Sequence, residues 1–470
     1  MSALWRTALA SLILLLIAMA PNAMAQQSDI WLTTADGAHK LEHHAIERVT
    51  TRTPDVTITV DPATRYQTVV GFGAAFTDAS AWTIRHDLST RSRRALMREL
   101  FSRRNRGLGL SFTRLTIGAS DFSRTHYSYD DARESQRDID LNHFSIGPAR
   151  ANLIPLLREA RRLNPSLKIM ASPWSAPGWM KTSGHMIGGT LADDAYGPFA
   201  NYLVRYVEAM RSAGVPIFAL TVQNEPGYEP HDYPGMLLPP AARARLDADF
   251  LGPQLQAHGL NIQILEFDHN WDEAQSPAAV LSDPRAARYI SGVAWHCYRG
   301  DVAAMAQGHD AFPDKDTYFT ECSGGDWDKE FGSSFTWMMQ NLMIGATRGW
   351  ARGVLLWNLA LDEHHGPHLG GCGDCRGVVT IDSTNGRITR NAEYYALAHM
   401  SRFVHSGAVR IGAESSATEV HTVAFRNRNG SIAVVVLNMA PAERTMRIAT
   451  GASSALVVLP ARATATIVLR

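Results

Sequence analysis

The sequence predicts an α/β protein: a (β/α)8 TIM barrel with a small β-sandwich attached. Two observations predict it, namely alternating short apolar and longer helical segments over most of the chain, and closely spaced β-type runs near its end. The eight apolar runs are Val69–Phe76, Leu110–Ile117, Lys168–Ser172, Ile217–Val222, Gln263–Phe267, Ile290–His296, Thr317–Thr320 and Gly353–Trp357. Helical spacing lies between them at Arg93–Phe101, Leu153–Leu163, Tyr202–Ser212 and Phe335–Thr347. Because no GxGxxG or P-loop follows any run, a doubly wound open sheet is the less favoured alternative.

The two ends of the chain predict the second domain. After a last helix at Tyr394–Val404 come the runs Glu419–Phe425, Ser431–Leu437, Thr445–Ala449, Ala455–Leu459 and Ala463–Leu469. The dipeptide Asn429-Gly430 between the first two is a hairpin signal, and strands this closely spaced are typical of a β-sandwich. The strand-like Asp55–Val60 precedes the barrel, so we expect both chain ends to share this domain. The expected boundaries are 26–68 for N-terminal sandwich strands, 69–390 for the barrel, and 391–470 for the last helix and the sandwich.

Composition excludes several classes of protein. The chain has 470 residues, of which 45% are hydrophobic and 19% charged, which is enough apolar material for a large core and excludes intrinsic disorder. Its 45 basic and 45 acidic residues leave a formal net charge of zero. Because no long basic run is present either, we expect no nucleic-acid partner and no binding to anionic lipid. The expected partner is uncharged.

The first residues predict a targeting signal. Arg6 precedes an apolar run over residues 8–20, and the small-x-small pattern Ala23-Met24-Ala25 follows. This pattern is typical of a secretory signal peptide, here residues 1–25, cleaved after Ala25. The run is short for a bilayer span, so an uncleaved anchor is the less favoured alternative. We therefore expect a secreted or periplasmic protein without stable membrane insertion.

The four cysteines, Cys297, Cys322, Cys372 and Cys375, allow three disulfide pairings in an oxidising compartment. Cys372 and Cys375 lie near His364, His365 and His368, so a metal site is one alternative. The chain has no second CxxC to complete a zinc tetrahedron. A local Cys372–Cys375 disulfide is therefore the favoured interpretation.

Two glutamates follow predicted barrel strands. Glu225 follows the fourth strand and Glu321 the seventh, and in a barrel the carboxyl ends of all strands meet at one mouth. Pro226 disfavours the helical region for Glu225, which predicts extended backbone there. Two carboxyl groups converging on one cavity are what glycoside hydrolysis requires: one protonates the leaving oxygen, and the other attacks the sugar or activates water.

Aromatic residues at the same strand ends favour a sugar ligand. Rings lie at or just after predicted strand ends at Trp174, Trp179, Trp295, Tyr298, Trp327 and Trp357. The C–H faces of pyranoses pack on such rings, and sugar hydroxyls need polar partners such as Asp78 and Asn224.

These motifs resemble glycoside hydrolase family 30, which includes glucosylceramidases and endo-β-1,6-glucanases. The resemblance spans about residues 69–411 and is carried by Gly71-Phe72-Gly73, Thr77-Asp78, Ala171–Pro177, Asn224-Glu225-Pro226, Thr320-Glu321-Cys322 and Trp357–Asp362. It implies a barrel with a sandwich formed by both chain ends and retention of anomeric configuration. We expect no cofactor and no metal. The resemblance also implies that Glu225 is the acid/base and Glu321 the nucleophile. The residues implied to hold the sugar are Asp78, Trp174, Asn224, His296, Tyr298 and Trp357.

The substrate stays open within this resemblance. We expect cleavage of a β-glucosidic bond in a β-glucoside or β-glucan, with a glucosylceramidase-like activity first and an endo-β-1,6-glucanase or related polysaccharide hydrolase as the alternative. The segment 364–377 is similar to the corresponding loop of microbial glucanases. The segment Tyr228–Tyr233 is polar and aromatic, which suits a carbohydrate leaving group at least as well as a lipid. A non-catalytic carbohydrate-binding protein would lack one glutamate. A metal-dependent hydrolase would need a set of His, Asp and Glu ligands on strand ends, whereas His364, His365 and His368 lie together in one loop.

Overall fold

The computed structural model describes residues 28–45, 53–132, 136–451 and 453–470, so the predicted signal peptide lies outside the described residues. In chain order the strands are β1 Ser28–Thr34, β2 Glu42–Ala45, β3 Val56–Thr68, β4 Gly71–Ala75, β5 Phe112–Ile117, β6 Lys168–Pro173, β7 Ala219–Leu220, β8 Gln263–Asn270, β9 Ile290–His296, β10 Asp316–Glu321, β11 Gly324–Gly325, β12 Ala351–Asn358, β13 Ala360–Asp362, β14 Cys375–Arg376, β15 Val379–Ile381, β16 Ile388–Arg390, β17 Val409–Ser415, β18 Val420–Arg426, β19 Ile432–Asn438, β20 Arg444–Thr450, β21 Ser453–Leu459 and β22 Ala463–Leu469.

The helices lie mainly between the barrel strands. They are α1 Asp78–His86, α2 Thr90–Phe101, α3 Gly147–Arg150, α4 Leu153–Leu163, α5 Tyr196–Ser212, α6 Pro240–Arg245, α7 Gly252–Ala257, α8 Gln275–Leu281, α9 Pro284–Ala287, α10 Ala303–Ala311, α11 Phe331–Met338 and α12 Ala392–Ser401. Short 3-10 turns occupy Gly178–Met180 and Trp271–Glu273, and π-helical segments occupy Leu246–Leu251 and Met339–Ala346. The predicted helix Phe335–Thr347 is thus α-helical only in its first part. Within the described ranges, no helix combines the length and the apolarity needed to cross a bilayer.

Eight parallel strands close into a barrel in the cyclic order β4, β5, β6, β7, β8, β9, β10, β12, which confirms the predicted (β/α)8 fold. Each predicted apolar run overlaps one of these strands, because strands buried on both faces read as continuous hydrophobic runs. One layer of apolar side chains fills the lower barrel interior. Its members are Val70, Phe112, Met170, Ala219, Leu265, Ala294, Tyr318 and Leu355. Above this layer the interior becomes polar, and there the site described below begins.

The β-sandwich domain contains strands from both ends of the chain. Its nine strands are hydrogen-bonded in the order β2, β1, β22, β19, β18, β17, β3, β20, β21, around a core of their inward-facing apolar residues. The strand Val409–Ser415 was not predicted, because Gly412 and Glu414 interrupt its apolar pattern. The absence of a side chain at Gly412 has a reason, since a Cβ there would lie 3.1 Å from the Cβ of Asp61.

A buried histidine on α12 links barrel and sandwich. The ring nitrogens Nδ1 and Nε2 of His399 each lie 2.9 Å from a threonine hydroxyl, that of Thr466 on β22 and that of Thr33 on β1 respectively. Burial lowers the pKa of His399 to about 3, so the ring is neutral in the folded protein. The last helix therefore contacts strands from both chain ends through one uncharged hydrogen-bonded side chain.

Candidate active site

A cavity of about 560 Å³ opens at the carboxyl ends of the barrel strands. Its lining combines carboxylates, aromatic rings and few aliphatic side chains. The lining residues are Asp121, Trp174, Asn224, Glu225, Gly227, Tyr228, Asp232, Tyr233, His269, Asn270, Glu273, Tyr298, Arg299, Glu321, Trp327, Trp357, Gly371, Cys372 and Cys375. Both glutamates singled out from the sequence thus line one cavity.

Glu225 has an unusual backbone conformation. Its φ is +47°, in the left-handed region, so the extended backbone expected from Pro226 is wrong. A tight turn imposes this conformation, since the Glu225 amide donates to Asp268 O at 3.1 Å and the Glu225 carbonyl accepts from the Tyr228 amide at 2.9 Å. A non-glycine residue held in this region costs about 1–3 kcal/mol, and such strain is concentrated at functional sites.

Irregular register at two strand ends gives the site its density of polar groups. The pairing of β10 with β9 shifts between Phe319 and Glu321, and that of β8 with β9 shifts between Phe267 and His269. In a regular strand, consecutive side chains point to opposite faces. A bulge re-aims one of them. Thr320 and Glu321 can therefore both contribute to the mouth, and so can Asp268 and His269.

Arg114, on β5, is the centre of a buried polar network. Its guanidinium, which is fully buried, donates to Glu321 Oε2, to Asp268 Oδ2 at 2.6 Å and to Asn224 Oδ1 at 2.7 Å. Asp268 also accepts from Thr320 at 2.7 Å. Burial alone would raise the pKa of Asp268, but the charge of Arg114 holds it well below its ordinary value. The network fixes the positions of Glu321 and Asn224 relative to each other.

Two histidines flank Glu225. His296 is fully buried, with Nδ1 3.0 Å from Glu225 Oε1 and Nε2 3.0 Å from Asp268 Oδ1. His269 Nδ1 lies 3.6 Å from the same Glu225 oxygen. Burial would lower the pKa of His296, but Glu321, Asp268 and Glu225 raise it to about 9. Burial opposes ionisation of Glu225, yet His269 and His296 hold the pKa of this carboxyl below its ordinary value. The proton of this pair is therefore held on the His296 side of their hydrogen bond while no sugar is bound.

Glu321 receives two donors from opposite sides. Arg114 donates to Oε2, and the Tyr298 hydroxyl donates to Oε1 at 2.9 Å. Burial raises the pKa of Glu321, and His296 and Arg114 oppose that rise. Glu225 and Glu321 are thus connected through His296, Asp268 and Arg114 by an unbroken chain of hydrogen bonds.

Four of the six aromatic residues noted in the sequence line the cavity. The rings of Trp174 and Trp357 stack with centroids 5.0 Å apart at 18°, and Arg114 lies 4.7 Å from the Trp174 ring. Tyr298 and Trp327 stand at the rim, 43% and 57% exposed. The stacked pair is almost fully buried and forms an aromatic wall, and the two exposed rings add apolar surface at the rim of an otherwise polar cavity.

The other two aromatic residues lie elsewhere. Trp295 is buried and packs on Phe267 with ring centroids 5.4 Å apart. Trp179 donates Nε1–H to Asp130 Oδ2 at 2.9 Å. Their positions at strand ends did not distinguish core from cavity, because side-chain direction there depends on local register.

Asp78, which the sequence suggested as a sugar contact, is half-buried and is not among the cavity-lining residues named above. Asp78 is the first residue of α1, which Thr77 caps. Its carboxylate accepts hydrogen bonds from the Tyr127 hydroxyl at 2.7 Å and from the Ser123 hydroxyl at 2.9 Å. Asp121 lines the cavity instead. Burial, together with the charges of Glu321 and Glu225, raises the pKa of Asp121 to about 8, so at neutral pH this carboxyl is mostly protonated and can donate.

Both disulfides lie beside the cavity. Cys297–Cys322 joins the residues that directly follow β9 and β10, and Cys372–Cys375 closes a short loop at the rim, as the sequence predicted for that pair. The rim loop contacts the segment after Glu225, since the Gly371 amide donates to Asp232 Oδ2 at 3.2 Å. The segments 364–377 and Tyr228–Tyr233 therefore form adjoining walls.

Sequence reasoning missed Arg114, Asp121, Asp268 and His269. Arg114 lies on the second barrel strand and Asp121 in the loop after it, and Asp268 and His269 lie near the end of the fifth. The carboxyl ends of these two strands were the signal that could have found three of the four. A second signal was Arg114 itself, the one charged residue in a strand of otherwise uncharged residues. His296, which the resemblance placed at the site, contacts Glu225, and His269 joins it there although the sequence analysis did not single it out.

Comparisons with known proteins agree with this architecture. Residues 69–404 match the glycosyl hydrolase family 30 TIM-barrel domain, and residues 407–467 match the family's β-sandwich domain. An endo-1,6-β-D-glucanase of Neurospora crassa is 36% identical over 441 residues, covering 88% of this chain and 89% of the relative. The lysosomal acid glucosylceramidase of Mus musculus is 31% identical over 420 residues, covering 81% of this chain and 77% of the relative.

Solved structures agree as well. The endo-β1,6-glucanase BT3312 superposes with a TM-score of 0.88 at 31% identity, covering 94% of this chain and 99% of that one. The SrfJ protein of Salmonella typhimurium superposes with a TM-score of 0.87 at 28% identity over the same shares. With both domains matched in order and similarity extending over most of its length, the chain is a glycosidase that belongs to glycoside hydrolase family 30.

Proposed function

We propose that this protein is an exported, retaining β-glycosidase that cleaves β-1,6-linked glucan. The observation that carries the proposal is the placement of Glu225 and Glu321 in one ring-lined cavity, joined by a shared hydrogen-bond network. Retaining hydrolysis uses two carboxyl groups about 5–5.5 Å apart on opposite sides of the scissile bond.

Glu321 is the proposed nucleophile. Two donors, Arg114 and Tyr298, favour its ionised form and aim its carboxylate. It attacks the anomeric carbon while the bond from that carbon to the leaving oxygen breaks, and a covalent glycosyl ester forms.

Glu225 is the proposed acid/base. A bound sugar excludes water from the cavity, which disfavours the charge-separated form of the Glu225–His296 pair and favours the neutral carboxylic acid. Glu225 then gives its proton to the leaving oxygen. In the second step the resulting carboxylate takes a proton from water, whose oxygen displaces Glu321 and regenerates the free enzyme.

The sugar contacts follow from the cavity lining. The stacked Trp174 and Trp357 provide the apolar platform of the subsite next to Glu321, with Asn224, Tyr298 and Asp121 as hydroxyl partners. His296 acts on Glu225 from below the cavity surface. Asp78 supports the neighbouring loop through Ser123 and Tyr127.

A polymeric substrate is favoured over a glycolipid, which reverses the order expected from the sequence. Endo-1,6-β-D-glucanases are 36–37% identical to this chain, whereas glucosylceramidases are 30–31% identical. On the structural side, the rim carries Asp232, Glu273 and Arg299, polar groups that suit sugar hydroxyls better than a ceramide. Glucosylceramide-type β-glucosides are the second candidate, supported by the lower but extensive similarity.

Export is supported by the predicted signal peptide at residues 1–25 and by the two disulfides, which persist in oxidising compartments. Cell fractionation of a tagged chain, with N-terminal sequencing of the exported form, tests cleavage after Ala25. Retention of the full-length chain in the cytoplasm would contradict this part of the proposal.

The activity is tested by hydrolysis of β-1,6-glucan, glucosylceramide and an aryl β-glucoside, with product lengths recorded. We expect release of short oligosaccharides from β-1,6-glucan. Glu321→Gln should abolish turnover while sugar binding persists, and Glu363→Gln, which changes a carboxylate outside the cavity, is the matched control. Turnover by Glu321→Gln at the wild-type rate would refute the assignment.

A further inference from the structure

Three side chains at the cavity form a cluster with the composition of a transition-metal site. Glu225, His269 and His296 each offer one ligand atom, and these atoms all lie within 4.8 Å of one another. The cluster draws on the ends of β7, β8 and β9, three consecutive barrel strands. Two imidazoles and one carboxylate are the ligand set of several catalytic zinc sites.

The separations suit a small tetrahedral ion. Zinc bonds of about 2.0–2.2 Å put neighbouring ligand atoms about 3.3–3.5 Å apart in a tetrahedron. Glu225 Oε1 lies 3.0 Å from His296 Nδ1 and 3.6 Å from His269 Nδ1. Shifts of a few tenths of an ångström would bring both pairs to the zinc geometry.

Both histidines carry an outer carboxylate. His296 Nε2 lies 3.0 Å from Asp268 Oδ1, and His269 Nε2 lies 3.6 Å from Glu273 Oε1. Metal-binding histidines typically direct their second nitrogen to such a partner, which orients the ring and makes it a better ligand. Here the nitrogens that face Glu225 are the ones left for a metal.

One of the prospective ligand atoms has no hydrogen-bond partner. His269 is 4% exposed, and its buried Nδ1 is unpartnered although it points toward Glu225. Such an orphaned buried atom is costly, and a bound ion would satisfy it. The surface of the surrounding cavity carries three further carboxylates, Asp232, Glu273 and Glu321, against one arginine, Arg299, and this excess of negative charge would concentrate cations.

We propose that Glu225, His269 and His296 bind Zn²⁺ in place of the proton that Glu225 and His296 share, with the fourth position open to the cavity. Nitrogen donors favour Zn²⁺ and Cu²⁺ over Mg²⁺ and Ca²⁺. The bound ion inhibits hydrolysis, because Glu225 is then a metal ligand and cannot transfer a proton; this consequence rests on the function proposed above. The site makes the glycosidase sensitive to the free transition-metal concentration outside the cell.

Metal binding is measured without reference to activity. Zn²⁺ is titrated calorimetrically into the metal-free protein, and Co²⁺ is added to a second sample to record its visible absorption, which is intense only in tetrahedral sites. We expect one tight site, a Kd raised at least about tenfold in His269→Gln, and a Kd raised about 10–100-fold in Glu273→Gln, which changes only the outer carboxylate. Equal Zn²⁺ affinity in the wild type and both folded variants would overturn the proposal.

A surface cluster provides the matched control. His39, Glu42 and His44 also lie close enough together to hold an ion, but they are far more exposed. His44→Gln should leave the tight site and the Co²⁺ spectrum unchanged, and loss of the tight site in this variant would overturn the assignment.

Inhibition is measured separately on wild type and His44→Gln. Zn²⁺ should lower the hydrolysis rate with the affinity found calorimetrically, and a chelator should restore it. Full activity with the tight site occupied would overturn the inhibitory role, and absence of glucanase activity in metal-free protein would refute the proposed function while leaving the metal titration valid.

Discussion

Replacing His399 tests whether the junction between barrel and sandwich limits stability in acid. The ring is fully buried between Thr33 and Thr466, and burial lowers its pKa from 6.5 to about 3. The unfolded chain therefore binds a proton below about pH 6.5 that the folded chain takes up only near pH 3. Stability is complete above the unfolded pKa and is lost as the pH falls toward the folded pKa.

The magnitude follows from the two pKa values. One unit of difference corresponds to about 1.36 kcal/mol, so at about pH 5 His399 should lower the free energy of unfolding by about 2 kcal/mol relative to about pH 8. His399→Gln keeps a polar side chain but cannot titrate, so this part of the pH dependence should disappear.

The assay is urea unfolding of the wild type, His399→Gln and the surface variant His364→Gln at several pH values. His405, whose pKa burial lowers to about 4, adds its own slope, so the difference between wild type and variant is the quantity to compare. Parallel pH dependence in wild type and His399→Gln would refute the reasoning. His364→Gln should follow the wild type.

Three further perturbations test the cavity. Asp121→Asn keeps a neutral hydrogen-bonding group, so at neutral pH it should lower kcat/KM less than Asp121→Ala, for which we expect a loss of about tenfold. Equal losses of kcat/KM in steady-state kinetics would contradict a protonated Asp121. Trp327→Ala should lower kcat/KM for β-1,6-glucan more than for an aryl β-glucoside, because the ring lies at the rim, where a longer substrate extends beyond the scissile bond. Equal losses of kcat/KM on both substrates would contradict this. Replacing Cys297 and Cys322 by serines should lower the free energy of unfolding by about 3–4 kcal/mol, and replacing Cys372 and Cys375 should lower it by about 2 kcal/mol. The first disulfide closes the larger loop and so removes more entropy from the unfolded chain. The reverse order in urea unfolding would contradict this.

The barrel and its two glutamates could be predicted from sequence because both depend on patterns that span many residues. A strand buried on both faces reads as an apolar run wherever it lies, and the carboxyl end of each run identifies residues such as Glu225 and Glu321. Most of the sandwich was predictable in the same way. The exceptions are Val409–Ser415, whose glycine and glutamate disrupt the pattern, and β1 and β2, for which only the segment 26–68 was expected to contribute strands.

The inner network could not be predicted because it depends on local irregularities. Asp268 and His269 converge on the mouth only because the register of β8 shifts beside them. The left-handed backbone of Glu225 depends on a turn closed by the Tyr228 amide and on the bond that the Glu225 amide donates to the distant Asp268 carbonyl. Asp78 and Asp121 are both aspartates after a barrel strand. Asp78 begins α1, whereas Asp121 lies in the loop after β5 and lines the cavity, and no pattern of residue types predicts this difference.

The most direct test of the central claim is covalent labelling with a mechanism-based cyclitol epoxide shaped like β-glucose, followed by peptide mass spectrometry. The epoxide is opened by the nucleophile after protonation by the acid, so it requires both carboxyl groups in position. We expect one equivalent of label, on Glu321, with activity lost in proportion to labelling. Label on a different side chain, or a hydrolytically active enzyme that never accepts the label, would contradict the account.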